Sequence, residues 1–148
     1  MKLLLAGATA LALLVPVRAS AADTRTVETF VISNGSYSCK TCKPAFTVKA
    51  DGGAYPVKGA AFDAVAIRLT GNGVTEIHMK GGKVVTTINT SVSADGRTAT
   101  TDFSDASASA TPARGIAVAR RVAAGAKGSH PLSGSWEVAE TSGTKLDR

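Results

Sequence analysis

Between Asp63 and Phe103 the chain alternates large apolar or threonine side chains with small or charged ones in four short runs, each cut by a glycine-bearing turn. A period of two puts successive side chains on opposite faces of a strand, so such runs read as half-buried β-strands. The first is Asp63 to Thr70, with Val65, Ile67 and Leu69 on one face and Ala64, Ala66 and Arg68 on the other. Gly71-Asn72-Gly73 breaks it, and Asn-Gly suits the positive backbone angles of a tight hairpin. Val74 to Lys80 follows, with Thr75, Ile77 and Met79 expected inward and Glu76, His78 and Lys80 outward. Gly81-Gly82 turns the chain into Lys83 to Ser93, where Val84, Thr86, Ile88, Thr90 and Val92 share a side. Ser93-Ala94-Asp95-Gly96 leads to Arg97 to Phe103, with Ala99, Thr101 and Phe103 together.

Composition supports the same class. Between Val27 and Val122 the large apolar residues include eleven valines and five isoleucines but a single leucine, Leu69. β-Branched side chains lose rotamer freedom in helices and pack well on pleated sheets. The expectation is therefore an all-β chain, an antiparallel meander forming part of a barrel or sandwich. Val27 to Ser33 and Ala45 to Ala50 are shorter strand candidates, and Asp51-Gly52-Gly53 is expected to turn the second toward Tyr55-Pro56-Val57. Ser104 to Pro112 reads as a small-residue loop. Arg114 to Val122 resumes a strand with Ile116, Val118 and Val122 on one face, a face that Arg120 interrupts.

The ends carry different signals. Lys2, an apolar run from Leu3 to Val15, and the small residues Ala19-Ser20-Ala21-Ala22 form a secretory signal peptide, residues 1–21. Cleavage there removes Lys2 and Arg18 and lowers the formal net charge from +6 to +4. The implied location is periplasmic or secreted. No cysteine lies between positions 16 and 24 to receive a lipid, and the mature chain has no second apolar run long enough to be a transmembrane segment. The β-meander is assigned to 24–123. Residues 124–148 read as a linker and the opening of another strand, Gly134-Ser135-Trp136-Glu137-Val138. Either this strand begins a truncated second unit or it adds to the first.

The residues Asp51-Gly-Gly-Ala-Tyr-Pro-Val-Lys-Gly59, Lys80-Gly-Gly-Lys-Val-Val85 and Val92-Ser-Ala-Asp-Gly-Arg-Thr98 resemble a pattern in secreted bacterial proteins of the lipocalin-like (calycin-type β-barrel) group. The resemblance spans roughly Tyr37 to Val122, and most of that group has no assigned activity. Gly134-Ser135-Trp136 is similar to the Gly-x-Trp that opens many lipocalin barrels, where the tryptophan plugs one end. The resemblance implies a small lipocalin-like barrel or half-barrel and a small apolar ligand in its interior.

Cys39-Lys40-Thr41-Cys42 is the sharpest chemical feature. Two cysteines three positions apart in an exported chain read as a structural disulfide. Lys40 and Lys43 would lower a thiol pKa, which favours thiol-disulfide exchange, but Pro44 and a strand pattern follow where a redox motif would open a helix. A metal site would need further ligands, and His78 and His130 lie far along the chain, so neither metal nor cofactor is expected. His78 beside Glu76 reads as a solvated surface histidine, and His130 before Pro131 as a turn residue. Asp102 and Asp105 straddle a strand end as solvated turn residues rather than as a paired-carboxylate hydrolase. Arg114, Arg120, Arg121 and Lys127 form a basic cluster without interleaved aromatics, which reads as a solvated face toward an anionic envelope and not as a nucleic-acid site. No catalytic constellation emerges. The readings that remain are a non-enzymatic barrel holding a small hydrophobic ligand, a structural or interaction protein of the cell envelope, and, behind both, a thiol-disulfide oxidoreductase using Cys39 and Cys42.

Overall fold

The computed structural model describes residues 25–143. Residues 1–24 and 144–148, and with them the signal-peptide segment, lie outside the described residues. Ten strands follow in chain order: β1 (Val27–Ser33), β2 (Ser36–Cys39), β3 (Phe46–Lys49), β4 (Asp51–Pro56), β5 (Ala64–Leu69), β6 (Gly73–Lys80), β7 (Lys83–Val92), β8 (Thr98–Asp105), β9 (Ala113–Ala124) and β10 (Gly134–Gly143). The described chain has no helix. All its strands belong to one antiparallel sheet in the order β3-β2-β1-β10-β9-β8-β7-β6-β5-β4. The sheet curls into a nearly closed barrel, compatible with a lipocalin-like fold, with one unsealed seam between β3 and β4. Gly134–Gly143 joins this same sheet, seated between β1 and β9.

The hairpins orient the barrel. Its lower end carries the turns at 34–35, 70–72 and 93–97 and the segment 125–133. Its mouth carries the loops 40–45, 57–63, 81–82 and 106–112. The seam is closed covalently at the lower end, where Ala50 alone separates β3 from β4 and donates its N–H to the Gly35 carbonyl at 2.8 Å. From there the two strands splay toward the mouth with no ladder between them.

The lower end is plugged. Trp136 is 1% exposed, and its indole N–H donates to the Leu132 carbonyl at 2.8 Å. The Arg121 guanidinium lies 4.1 Å from the centroid of the Trp136 ring. It also donates to the carbonyls of Gly96 at 2.6 Å, Ser133 at 2.8 Å and Pro131 at 2.5 Å. Arg121 is thus a clamp that ties β9 to the 125–133 segment, not one more member of the expected solvated basic cluster. Arg114, Arg120 and Lys127 do remain exposed. Gly134 has φ 124°, and a Cβ there would overlap the Ala123 carbonyl oxygen, so only glycine lets β10 enter beside β9.

Most expected strand faces hold. Val65 and Ile67 on β5, Ile88 and Val92 on β7, and Ala99 and Phe103 on β8 are all buried. Two faces are reversed. On β9 the inward side is Gly115, Ala117, Ala119 and Arg121, while Ile116 and Val122 are 48% and 52% exposed. The reason is space: Gly115 stands opposite Phe103, and Arg121 opposite Trp136, so bulky lumen residues face small or flat-packing ones. On β6 the inward side is Val74, Glu76 and His78, not Thr75, Ile77 and Met79. Directly opposed residues of an antiparallel pair share a face. Val65 stands opposite His78, Ile67 opposite Glu76 and Leu69 opposite Val74, so the apolar face of β5 carries Glu76 and His78 inside with it.

Candidate functional site in the barrel mouth

Glu76 and His78 are 2% and 4% exposed, so two ionisable side chains sit inside a small β-barrel. Polar groups at such depth persist only with partners. Glu76 Oε2 accepts the Tyr37 hydroxyl at 2.8 Å, and Glu76 Oε1 lies 2.5 Å from His78 Nε2. Two residues apart on one strand, the carboxylate and imidazole share the inward face and meet edge to edge. Tyr37, 1% exposed, comes from β2 on the far side of the seam, so its hydrogen bond to Glu76 spans the gap from inside.

A second bridge crosses at the rim. Phe62, from the loop between β4 and β5, stacks on His78 with 3.7 Å between ring centroids and an interplanar angle of 19°. Its edge meets Phe46 of β3 at 6.4 Å, and Phe46 packs on Tyr37 at 6.0 Å. Tyr37, Glu76, His78, Phe62 and Phe46 therefore form a closed ring of contacts that stitches the two halves of the mouth where the backbone ladder is missing.

Beyond His78 the inward row continues to Thr86 on β7 and Asp105 on β8. Thr86 donates to Asp105 Oδ1 at 3.3 Å, and the Ser107 N–H donates to the same oxygen at 2.8 Å. Burial raises the Asp105 pKa, but the hydrogen bonds from Ser107 and Thr86, together with His78, hold it on balance below the usual carboxylate range. The nitrogen Nδ1 of His78 has no hydrogen-bond partner among the described residues, although the side chain is 6% exposed.

The remaining candidates fall elsewhere. Cys39 and Cys42 form a disulfide at the start of the mouth loop 40–45, with Cys39 1% exposed and Cys42 8%. The bond fixes the end of β2, two residues beyond Tyr37. Asp102 lies on the outer wall, away from Asp105, and its Oδ1 accepts Asn89 Nδ2 at 3.3 Å beside a shallow polar cleft. Asp102 and Asp105 are not brought together. His130 sits at the lower end, where Nε2 meets the Thr70 carbonyl at 2.8 Å and Nδ1 accepts the Leu132 N–H at 3.1 Å, the turn role expected for it. Among the described residues no group of three or more His, Cys, Asp and Glu side chains is arranged to hold a metal ion.

The sequence reading placed His78 and Glu76 on the surface, so the ring escaped it. The signal that finds them was present: Leu69 and Val74 flank the Asn-Gly turn as a pair, and counting outward from that pair puts Glu76 opposite Ile67. No family model matches this chain, and no curated protein or solved structure matches it.

Proposed function

We propose that this chain is an exported, non-enzymatic barrel of the lipocalin-like kind that holds a small, largely apolar molecule in its mouth. One observation carries the reading. A barrel lined by Val65, Ile67, Ile88 and Phe103 carries at one end a buried imidazole nitrogen, His78 Nδ1, with no protein partner among the described residues. Apolar walls with a few convergent polar groups are the usual make-up of a small-molecule site. The charged start, apolar run and small residues of 1–21 support export, as does an oxidised cysteine pair. The burial of both cysteines supports a structural bond over thiol-disulfide exchange.

Titration of the mature protein with the neutral fluorophore N-phenyl-1-naphthylamine tests the reading. The expected result is a saturable rise in emission that Ile88→Trp, which fills the lumen, abolishes while the β-sheet circular dichroism persists. Emission that never saturates, or that Ile88→Trp leaves intact, refutes an interior site. The alternative, an interaction protein of the envelope, draws on the exposed Val27 and Val31 of β1 and Ile116 of β9, which flank β10 on either side. It predicts co-purification with an envelope component that charged substitutions at these positions disrupt.

A further inference from the structure

The cations of this barrel are unevenly placed. The mouth loops touch one another in series. Gly59 lies against Pro44, Asp63 Oδ2 accepts the Gly81 N–H at 2.8 Å, and the Ala106 N–H donates to the Val85 carbonyl at 2.7 Å. Along that arc stand Lys40 and Lys43, then Lys58, then Lys80 and Lys83 on either side of the Gly81-Gly82 tip, then Arg114 near the start of β9. All six side chains are exposed, and none makes an ion pair with another described residue. Within these loops and the residues that flank them the acids are Asp63 and Asp105, and the barrel itself engages both. Asp63 caps Gly81, while Asp105 Oδ1 accepts the Thr86 hydroxyl and the Ser107 N–H. The lower end is balanced differently. There Lys49 and Arg97 stand two residues from Asp51 and Asp95, and Arg121 is built into the Trp136 plug.

Uncompensated charge of one sign at one end of a molecule draws a partner of the opposite sign. The mouth cations come from four separate segments and ring the opening instead of converging on one point. One phosphate or carboxylate therefore meets few of them, whereas a flat array of anions meets the whole collar. Val84 adds a second signal. It follows Lys83 at the hairpin tip and is 56% exposed. A lipid interface rewards such a side chain, which leaves water while the neighbouring ammonium groups stay with the headgroups. A hydrated polyanion offers it no apolar medium to enter.

We infer that this collar docks the barrel, mouth first, on an anionic phospholipid bilayer, with Val84 and the Gly81-Gly82 tip entering the headgroup layer. The inference goes beyond the small-molecule reading and does not depend on whether the lumen takes a ligand.

Co-sedimentation of the mature protein with vesicles tests it. Phosphatidylcholine vesicles with about one third phosphatidylglycerol are expected to carry the protein down, and vesicles of phosphatidylcholine alone are not. Each cation close to an anionic leaflet raises affinity about fivefold, so Lys58→Ala, Lys80→Ala and Lys83→Ala together should weaken binding about a hundredfold. Lys49→Ala, Arg120→Ala and Lys127→Ala together remove the same charge from the lower end, beyond the screening length, and should weaken it less than about threefold. Arginine at the three mouth positions should preserve binding, and Val84→Asp should weaken it about tenfold. Circular dichroism checks the fold of each variant. Equal sedimentation with neutral vesicles, equal losses from the two alanine triples, or no sedimentation with anionic vesicles overturns the inference. Retention on heparin that the mouth triple abolishes, without sedimentation on anionic vesicles, assigns the collar to an anionic polymer and overturns the bilayer.

Discussion

Replacing Glu76 by alanine should damage this protein more than almost any other single change on its polar residues. Glu76 is 2% exposed and serves two buried partners at once, the Tyr37 hydroxyl at 2.8 Å and His78 Nε2 at 2.5 Å. Alanine removes the acceptor from both of these hydrogen bonds, and breaking each buried bond from one side costs about 1–3 kcal/mol. The expected loss is therefore about 2–6 kcal/mol, a large part of the ~5–15 kcal/mol that holds a domain together. Trp136, the single tryptophan, reports unfolding in urea, and the loss reads out as a fall in the denaturation midpoint. Tyr37→Phe, which leaves Glu76 its imidazole partner, should cost only about 1 kcal/mol. The combined Tyr37→Phe, Glu76→Leu, His78→Leu variant removes every member of the network together. It should recover much of the loss, because an apolar replacement of a whole buried polar set is often close to neutral. A loss below about 1 kcal/mol in Glu76→Ala would refute the argument, since it would mean that the carboxylate is solvated and does not bridge the seam.

Three further outcomes follow from the structure. Arg121→Met removes the cation from the Trp136 ring and the donors from three carbonyls; a loss of about 2–4 kcal/mol and a red shift of Trp136 emission are expected, and an unchanged spectrum would contradict the plug. Replacing Cys39 and Cys42 together by alanine opens a very short loop, so the loss is about 2 kcal/mol, measured as a midpoint shift, whereas abolished folding would assign the bond a larger part than chain entropy. Hydrogen bonds from Tyr55 and Gly53 hold Asp51 below the usual carboxylate range, those from Ser93 and Arg97 do the same for Asp95, and Asp105 is likewise lowered. A depressed folded pKa stabilises above the unfolded value of about 3.9 and is lost as pH falls through the folded one, so thermal stability should decline on the acid side below about pH 4; Asp95→Asn and Asp105→Asn together should flatten that limb, and an unaltered slope would count against it.

The strands were legible because their periodicity and turns agree. Four of them, β5 to β8, follow the alternation and the glycine breaks closely. Which face points inward was legible only where one side was clearly larger. On β6 both sides carry apolar residues, Val74 on one and Ile77 and Met79 on the other, so side-chain character alone misassigns it. Register decides instead, and register is a property of the pair and not of the strand. On β9 the alanines and Gly115 face the lumen because Phe103 and Trp136 already fill it, a packing relation across strands that no single run displays. The short strand β2 and the strand character of Asp51-Gly52-Gly53 were hidden for a related reason. Ser36–Cys39 has only four residues, and the glycines of β4 carry a register shift against β5. The candidate site was illegible as a site because its five side chains come from four separate segments and meet only when the barrel curls.

Of the nine ladders in the sheet, eight join strands that follow one another in sequence, and only β1 with β10 unites distant parts of the chain. The polypeptide is therefore an ordinary up-and-down ribbon whose point of opening has been moved. A circular permutant that links β10 to β1 and begins at Asp51 would run through the sheet from one edge to the other without a single non-local crossing. It would turn the slow search for β1 by β10 into hairpin formation, and it would place the new free ends at the gap that Tyr37 and Phe46 bridge.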